Sequence, residues 1–283
     1  MVAQSLPSTP ASDAGGVRYT IATLLTDPAQ YAAMRKSFEA GGFTAPETEF
    51  LIVDNSKGNV SCAYRGLNRL LGEAHGAIVI LCHQDVRLIA DGRNALDDRL
   101  DELDARDPNW AVAGNAGGCA PGRLALRISD PHCANQHIGR LPARVQSLDE
   151  NFIIVRRSAR VGFSNDLSGF HFYGADICLT ADLMGYSCFV IDFHLQHLSP
   201  GNKDASFAEA ERRFIAKWSH ALRGRWLQTT CSLVYLSGGG VAGFIANRVR
   251  TLVSSVAWRI GRSTGSSGGG AWPAAAASGD KRR

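Results

Sequence analysis

Short apolar runs alternate with amphipathic segments along the first part of the chain. Three of the runs, Tyr19–Leu25, Glu49–Val53 and Trp110–Gly114, have the length and apolar content of buried strands. The intervening segments have helical spacing, and the first begins where Asp27 precedes Pro28, a typical N-cap followed by proline. Strands alternating with helices through short connections predict an α/β fold with right-handed crossovers and a mostly parallel sheet flanked by helices.

The most informative run is Ala77–Leu81, which passes through Cys82 into the polar triplet His83, Gln84 and Asp85. This pattern is typical of a buried parallel strand, and open α/β sheets bind ligands beyond the carboxyl ends of such strands. Asp85 is therefore placed to hold a divalent metal that binds a diphosphate. The alternative is that Asp85 only caps a helix.

Irregular sequence fills the middle of the chain, from Cys119 to Gln146, and it includes His132 and His137. Long loops inside a compact domain are often functional. Two acids, Asp149 and Glu150, then precede an apolar strand that ends in two arginines. These acids are either site residues or structural partners of the arginines. Downstream, the pattern predicts a helix near Asp176, a strand over 186–192 and a helix over 206–220.

Charge is distributed unevenly along the 283 residues, of which 45% are hydrophobic and 20% charged. Residues 212–283 contain 12 of the 30 basic side chains but one of the 26 acidic ones. A basic region after a mildly acidic body suggests contact with an anionic surface, such as a membrane leaflet or a nucleic acid. The alternative is a solvated tail without a partner.

Seven cysteines are scattered along the chain, and none belongs to a C-x-x-C pair. This usage favours a reducing compartment and argues against a thiolate zinc site. Residues 1–16 lack the features of a secretory signal and read as a disordered leader. We expect a cytoplasmic protein with one globular domain over 17–226, a basic helical extension over 227–262 and a disordered tail over 263–283.

Nucleotide-binding glycine motifs are absent from the sequence. Neither a G-x-G-x-x-G fingerprint nor a P-loop motif follows the first predicted strand. A bound nucleotide therefore needs another source of positive charge for its phosphates, which strengthens the metal interpretation of Asp85.

The chain contains, in this order, the segments Val53–Ser56, His83–Val86, Leu148–Glu150, Phe170–Leu179 and the single residue His197. Together they resemble the family 2 glycosyltransferases of the GT-A fold. More narrowly, they are similar to the domain first described in streptomycin biosynthesis, whose metal motif reads like His-Gln-Asp. The resemblance covers about residues 18–220.

The resemblance implies a hexosyltransferase that uses a nucleotide-sugar donor and Mn²⁺ or Mg²⁺, and that inverts the anomeric carbon. Asp85 would be the metal-binding acid, and His197 would complete the metal shell. His83 stands where the family has the first aspartate of its Asp-x-Asp motif, and it either binds the ribose or the metal or only caps the strand. The remaining donor-binding positions that the resemblance implies are Asp54, Asn55, Ser56, His83 and Gln84.

Asp176 falls in the segment where the family carries its catalytic base, although this chain has a single acid where many relatives have two. Asp149 and Glu150 are rival candidates for the base, which takes a proton from the acceptor hydroxyl. Each residue also has a structural alternative: Asp54 as a turn cap, His197 as a buried hydrogen-bonded histidine, and Asp176 as a first-turn helix acid.

The expected activity is transfer of a sugar to a polysaccharide or glycolipid acceptor, with peripheral membrane contact through the basic C-terminal region and no nucleic-acid partner. One alternative is a sugar-phosphate nucleotidyltransferase, although the segment Leu25–Pro28 lacks the glycine-rich basic loop of such enzymes. The other is an inactive binding or scaffold module of a glycan-assembly complex.

Overall fold

The structure is a computed structural model that describes residues 16–201, 205–228, 233–237, 241, 244–245 and 249. The strands are β1 Tyr19–Leu25, β2 Thr48–Asp54, β3 Ile78–Cys82, β4 Val86–Leu88, β5 Trp110–Gly114, β6 Ala116–Ala120, β7 Arg123–Ser129, β8 Gln136–Ile138, β9 Ala143–Arg144, β10 Ser147–Leu148, β11 Phe152–Arg156, β12 Ser187–Val190, β13 Leu195–His197, β14 Arg225–Gln228 and β15 Leu233–Leu236. The helices are α1 Pro28–Ala40, α2 Ala63–Glu73, α3 Arg93–Arg106, α4 Tyr173–Leu183 and α5 Ala205–Ala221.

A mixed seven-stranded sheet forms the centre of the fold, in the order β2-β1-β3-β11-β5-β12-β9. The predicted α/β class is confirmed, and strands β1, β2 and β3 are parallel. Strand β11 runs antiparallel between β3 and β5, and β9 runs antiparallel to β12. The other five strands therefore share one direction, and their carboxyl ends lie at the same edge of the sheet.

Apolar side chains cover both faces of this sheet, as a buried α/β sheet requires. One core cluster includes Leu67 and Leu70 of α2 with Ile177 of α4. The other includes Phe38 of α1 and Leu100 of α3. The helices thus enclose the sheet from two sides and leave the carboxyl edge open for a site.

A second sheet, in the order β10-β6-β7-β13-β4, carries much of the segment 119–146 that the sequence predicts to be irregular. That expectation is wrong for residues 123–129 and 136–138, which form β7 and β8 and pair with each other. The sheet matters for the site because β13 pairs antiparallel with β4 and places His197 opposite Val86. The chain leaving β3 is thereby joined to a segment more than 100 residues away.

The chain divides into two compact units, residues 1–215 and 216–283. Within the second, β14 and β15 form an antiparallel hairpin, so part of the predicted helical extension is strand instead. Most of that basic extension, the leader and the tail lie outside the described residues. Among the described residues, none of the helices combines the length and apolar composition that crossing a bilayer requires.

Candidate functional site

The site lies where β3 ends. The backbone N–H of His83 donates to the carbonyl of Asn151, next to the start of β11. This hydrogen bond fixes the backbone of the chain where it leaves β3. The Gln84 side chain then binds the loop after β1: its Oε1 accepts from the amides of Thr26 and Asp27 at 2.8 and 2.9 Å, and its Nε2 donates to the Thr26 hydroxyl. The Gln84 side chain therefore anchors the backbone that carries His83 and Asp85 to the loop after β1.

Three side chains converge there in an arrangement suited to a metal ion. The ligand atoms of His83, Asp85 and His197 all lie within 4.8 Å of one another. Oδ1 of Asp85 is 3.4 Å from Nε2 of His197 and 3.9 Å from Nδ1 of His83. The two imidazole rings are 5.6 Å apart, centroid to centroid. One carboxylate and two imidazoles form a mixed oxygen and nitrogen donor set, of the type that binds first-row divalent metals such as Mn²⁺.

The charge of Asp85 dominates the electrostatics of this cluster. Burial acts to raise the pKa of Asp85, but the neighbouring His197 outweighs it and holds that pKa below its ordinary value. Desolvation lowers the pKa of His83, which favours the neutral ring that a metal needs. Burial also acts to lower the pKa of His197, but the Asp85 carboxylate raises it overall.

The cluster also leaves a buried donor or acceptor atom unsatisfied. Nε2 of His197 is buried and makes no hydrogen bond within the described structure. Buried polar atoms without a partner are rare and call for an explanation. A cation shared by Asp85 and His197 would satisfy this nitrogen, so the residues present fit a divalent metal.

Two cavities meet at the cluster. The smaller, of about 240 Å³, has an apolar wall of Leu24, Leu67 and Leu81 and a polar rim that includes Thr26. The larger cavity, of about 820 Å³, is lined in part by aromatic side chains. Its lining includes Asp149, His132, His171, Phe172, Phe207 and His197. His83, Asp85, Glu150 and Phe170 line both cavities.

Glu150 is the second carboxyl group at the junction of the cavities, besides Asp85. Burial raises its pKa to about 8, the amide of Gly174 opposes this effect, and the charge of Asp149 adds to it. The Gly174 N–H donates to Oε1 of Glu150 at 3.4 Å. Glu150 thus lies at the amino end of α4 and near neutral pH exchanges its proton readily, as a general acid or base requires.

Close packing at the start of α4 makes this arrangement possible. A Cβ atom on Gly174 would lie 2.2 Å from the carbonyl oxygen of Leu148, a contact that a side chain cannot make. Phe172, the N-cap residue of α4, has a left-handed backbone with φ of 66°, which is uncommon for a bulky residue. Such strained positions occur preferentially at functional sites.

The structure brings together six of the ten residues that the sequence nominates: His83, Gln84, Asp85, Asp149, Glu150 and His197 all line one or both cavities. Asp149 is exposed, and its Oδ1 accepts from the backbone and side-chain amides of Asn151.

The remaining nominees lie away from the linings of these two cavities. Asp54 is exposed, and its carboxylate accepts from the amide of Ser56, which lowers its pKa. Asn55 is buried; its Nδ2 donates to the carbonyl of Ser61, and its Oδ1 accepts from the amide of Ser61. Asp176 is fully buried, and its two carboxylate oxygens accept from the N–H and hydroxyl of Ser164 at 2.8 and 2.6 Å.

Sequence reasoning missed Tyr173. Its hydroxyl lies 2.7 Å from Nε2 of His83 and donates to the backbone carbonyl of Glu150 at 3.1 Å. No pattern in the sequence links residues 83 and 173. A weak signal is the position of Tyr173 beside the acid-bearing start of a helix.

Comparison with known proteins gives one sequence relative and a set of similar folds. A protein of Fuscovulum blasticum named ATP synthase subunits region ORF 6 is 37% identical over 235 residues, which are 80% of this chain and 94% of that protein. No family model matches the chain.

Solved structures of similar fold include the mannosyltransferase PcManGT from Pyrobaculum calidifontis in complex with GDP-Man and Mn²⁺. It is 14% identical, with 77% of this chain and 68% of that chain covered and a TM-score of 0.49. Another is S. aureus TarS in complex with UDP-GlcNAc, 12% identical, with 71% and 66% covered and a TM-score of 0.48.

Proposed function

The chain belongs to the family of the Fuscovulum blasticum protein named ATP synthase subunits region ORF 6, and we propose that it is a metal-dependent glycosyltransferase. In this proposal it moves a hexose from a nucleotide-sugar donor to a hydroxyl group of a glycan or glycolipid, with inversion of the anomeric carbon. The observation that carries the proposal is the cluster of His83, Asp85 and His197 at the junction of two cavities. The motif resemblance over residues 18–220 agrees with it.

The charge of the cavity linings supports the metal. Among the described residues that line the two cavities, none is lysine or arginine, whereas Asp85 and Asp149 are acidic. A nucleotide diphosphate would be repelled from such a lining without an added cation. A divalent ion held by His83, Asp85 and His197 supplies Lewis acidity that stabilises the departing diphosphate. Imidazole ligands favour Mn²⁺ over Mg²⁺.

Two parts of the site suit the two substrates. The apolar wall formed by Leu24, Leu67 and Leu81 fits the face of a nucleobase, and Thr26 offers a hydroxyl at the rim. The larger cavity takes the acceptor. Its aromatic side chains, which include Phe172 and Phe207, offer flat apolar surfaces that suit the apolar face of a sugar ring.

Glu150 is the general base in this proposal. Its carboxyl lies at the junction of the cavities, where an acceptor hydroxyl would approach the donor sugar. A raised pKa makes it a stronger base than an ordinary glutamate, matched to a proton transfer near neutral pH. Asp176, the base that the resemblance implies, has both carboxylate oxygens engaged by Ser164 in the interior. The geometry therefore favours Glu150.

The test is release of nucleoside diphosphate from a panel of UDP-, GDP- and dTDP-hexoses, measured with the full chain in the presence of Mn²⁺ or EDTA. We expect slow release from at least one donor with Mn²⁺ and none in EDTA. Asp85→Asn should lose the release, whereas Glu73→Gln, at an exposed position of α2, should retain it. Equal release in EDTA, or an active Asp85→Asn variant, would overturn the proposal.

A further inference from the structure

Tyr173 is not one of the three candidate metal ligands, but it contacts one of them, His83. Its side chain is 4% exposed, and its hydroxyl lies between a ring nitrogen of His83 and the carbonyl oxygen of Glu150. Its ring packs edge-on against those of Tyr64 and Phe163, with centroids 6.4 and 5.8 Å away. Aromatic packing therefore holds the hydroxyl in place beside His83.

The directions of the hydrogen bonds follow from the number of protons available. A backbone carbonyl only accepts, so the Tyr173 hydroxyl uses its single proton for the oxygen of Glu150. The hydroxyl oxygen is then an acceptor toward His83, and Nε2 of His83 must carry the proton of that contact. This arrangement makes two hydrogen bonds from one hydroxyl, whereas the opposite tautomer makes one.

The consequence concerns the other ring nitrogen. In a neutral imidazole with its proton on Nε2, Nδ1 has a free lone pair. Nδ1 of His83 faces Oδ1 of Asp85 at 3.9 Å. At that distance the two atoms form no hydrogen bond, so the contact with Tyr173 decides the tautomer. Metal ligation requires the lone pair that this tautomer leaves on Nδ1.

We propose that Tyr173 is a positioning residue that fixes the tautomer of His83, with the proton on Nε2 and the lone pair of Nδ1 directed at the metal site. The inference rests on the proposed metal-dependent function and adds a residue to it. Because the same hydroxyl binds the backbone of Glu150, Tyr173 also ties the orientation of the metal ligand to the position of the base.

Mn²⁺ titration in the absence of any donor tests the inference. Loss of a hydrogen bond that orients a metal ligand typically weakens metal affinity 10–100-fold. We expect Tyr173→Phe to raise the Kd for Mn²⁺, measured by calorimetry or by the electron paramagnetic resonance of free Mn²⁺, by about that factor. Tyr64→Phe is the matched control. It also removes a tyrosine hydroxyl from these packed aromatic rings, but that hydroxyl donates to the backbone carbonyl of His171 and not to His83.

A double-mutant cycle separates positioning from a general loss of structure. His83→Asp replaces the imidazole by a ligand that has no tautomers, so Tyr173→Phe should change Mn²⁺ affinity much less in that background than in the parent chain. Thermal unfolding in EDTA checks that each variant folds. Equal effects in both backgrounds would refute the positioning role.

Nitrogen NMR of the unsubstituted chain, labelled at histidine, gives a readout that needs neither metal nor variant. At a pH where His83 is neutral, we expect its proton on Nε2; a proton on Nδ1 would overturn the inference. If the parent chain does not bind Mn²⁺, the proposed function fails, and this measurement still decides the tautomer. If the parent binds Mn²⁺ and Tyr173→Phe binds it equally well, the role of Tyr173 alone fails.

Discussion

Replacement of Glu150 by glutamine tests the raised pKa of the carboxyl group in the candidate site. Burial raises the pKa of this carboxyl from its ordinary 4.5 to about 8 in the folded protein. Between these values the unfolded chain has lost the proton and the folded protein retains it. Unfolding therefore releases a proton, and a rise in pH through this interval destabilises the fold. Glutamine has the same shape and no charge, so Glu150→Gln removes this pH dependence.

The magnitude follows from the same interval. It spans about 3.5 pH units, and each unit corresponds to about 1.4 kcal/mol, so the upper limit is about 5 kcal/mol. Local relaxation and water entry reduce such values, and we expect Glu150→Gln to gain stability over the parent on the order of 2–5 kcal/mol between pH 4.5 and pH 8.5. The same variant should lose turnover by on the order of 10²–10⁴.

Urea unfolding in EDTA at pH 4.5 and pH 8.5 measures this effect, with the parent chain and Glu73→Gln as references. Glu73 lies on α2 in an exposed pair with Arg69, so its replacement should leave the pH dependence of the parent unchanged. If the stability of Glu150→Gln relative to the parent is the same at both pH values, the carboxyl is not protonated at neutral pH in the folded state. Full turnover in Glu150→Gln would remove Glu150 from the role of base.

Three further changes give distinct outcomes. Asp85→Asn should abolish Mn²⁺ binding in calorimetry but leave thermal unfolding in EDTA close to that of the parent, and retained binding would contradict the metal site. Gly174→Ala should lower the free energy of unfolding by about 1–3 kcal/mol through its contact with the Leu148 carbonyl, and an unchanged urea midpoint would refute the steric argument. Asp176→Asn should cost about 1–3 kcal/mol, because an amide NH₂ would face the donors of Ser164, while turnover in the folded fraction persists; lost turnover at parental stability would restore Asp176 as the base.

Local patterns are sufficient to predict the centre of this fold. The strand before His83 ends where its apolar run ends, because burial on both faces of the sheet selects apolar residues up to that edge. The position of Asp85 beyond that edge follows from the same reasoning. The direction of β11 does not, since an apolar run of four residues fits a strand of either direction.

The candidate site depends more strongly on tertiary contacts. His197 reaches Asp85 only because β13 pairs with β4, and the register of two segments so distant in the chain has no signal in one sequence. The positions of Asp176 and Glu150 relative to the cavities also depend on tertiary contacts that one sequence does not reveal. The rotation of α4, set by the approach of Gly174 to Leu148, buries Asp176, and Glu150 on the adjoining segment supplies the carboxyl of the cavity.

The amide of Gln84 links two parts of the molecule that the substrates would reach separately. It holds the Thr26–Asp27 backbone on one side, and its own backbone joins His83 to Asp85 on the other. In the proposed function, a nucleotide that displaces Thr26 would alter the spacing of the metal ligands, and a bound cation would stiffen the Thr26–Asp27 loop. Linkage makes this influence mutual, so the factor by which the cation changes nucleotide affinity is also the factor by which the nucleotide changes cation affinity.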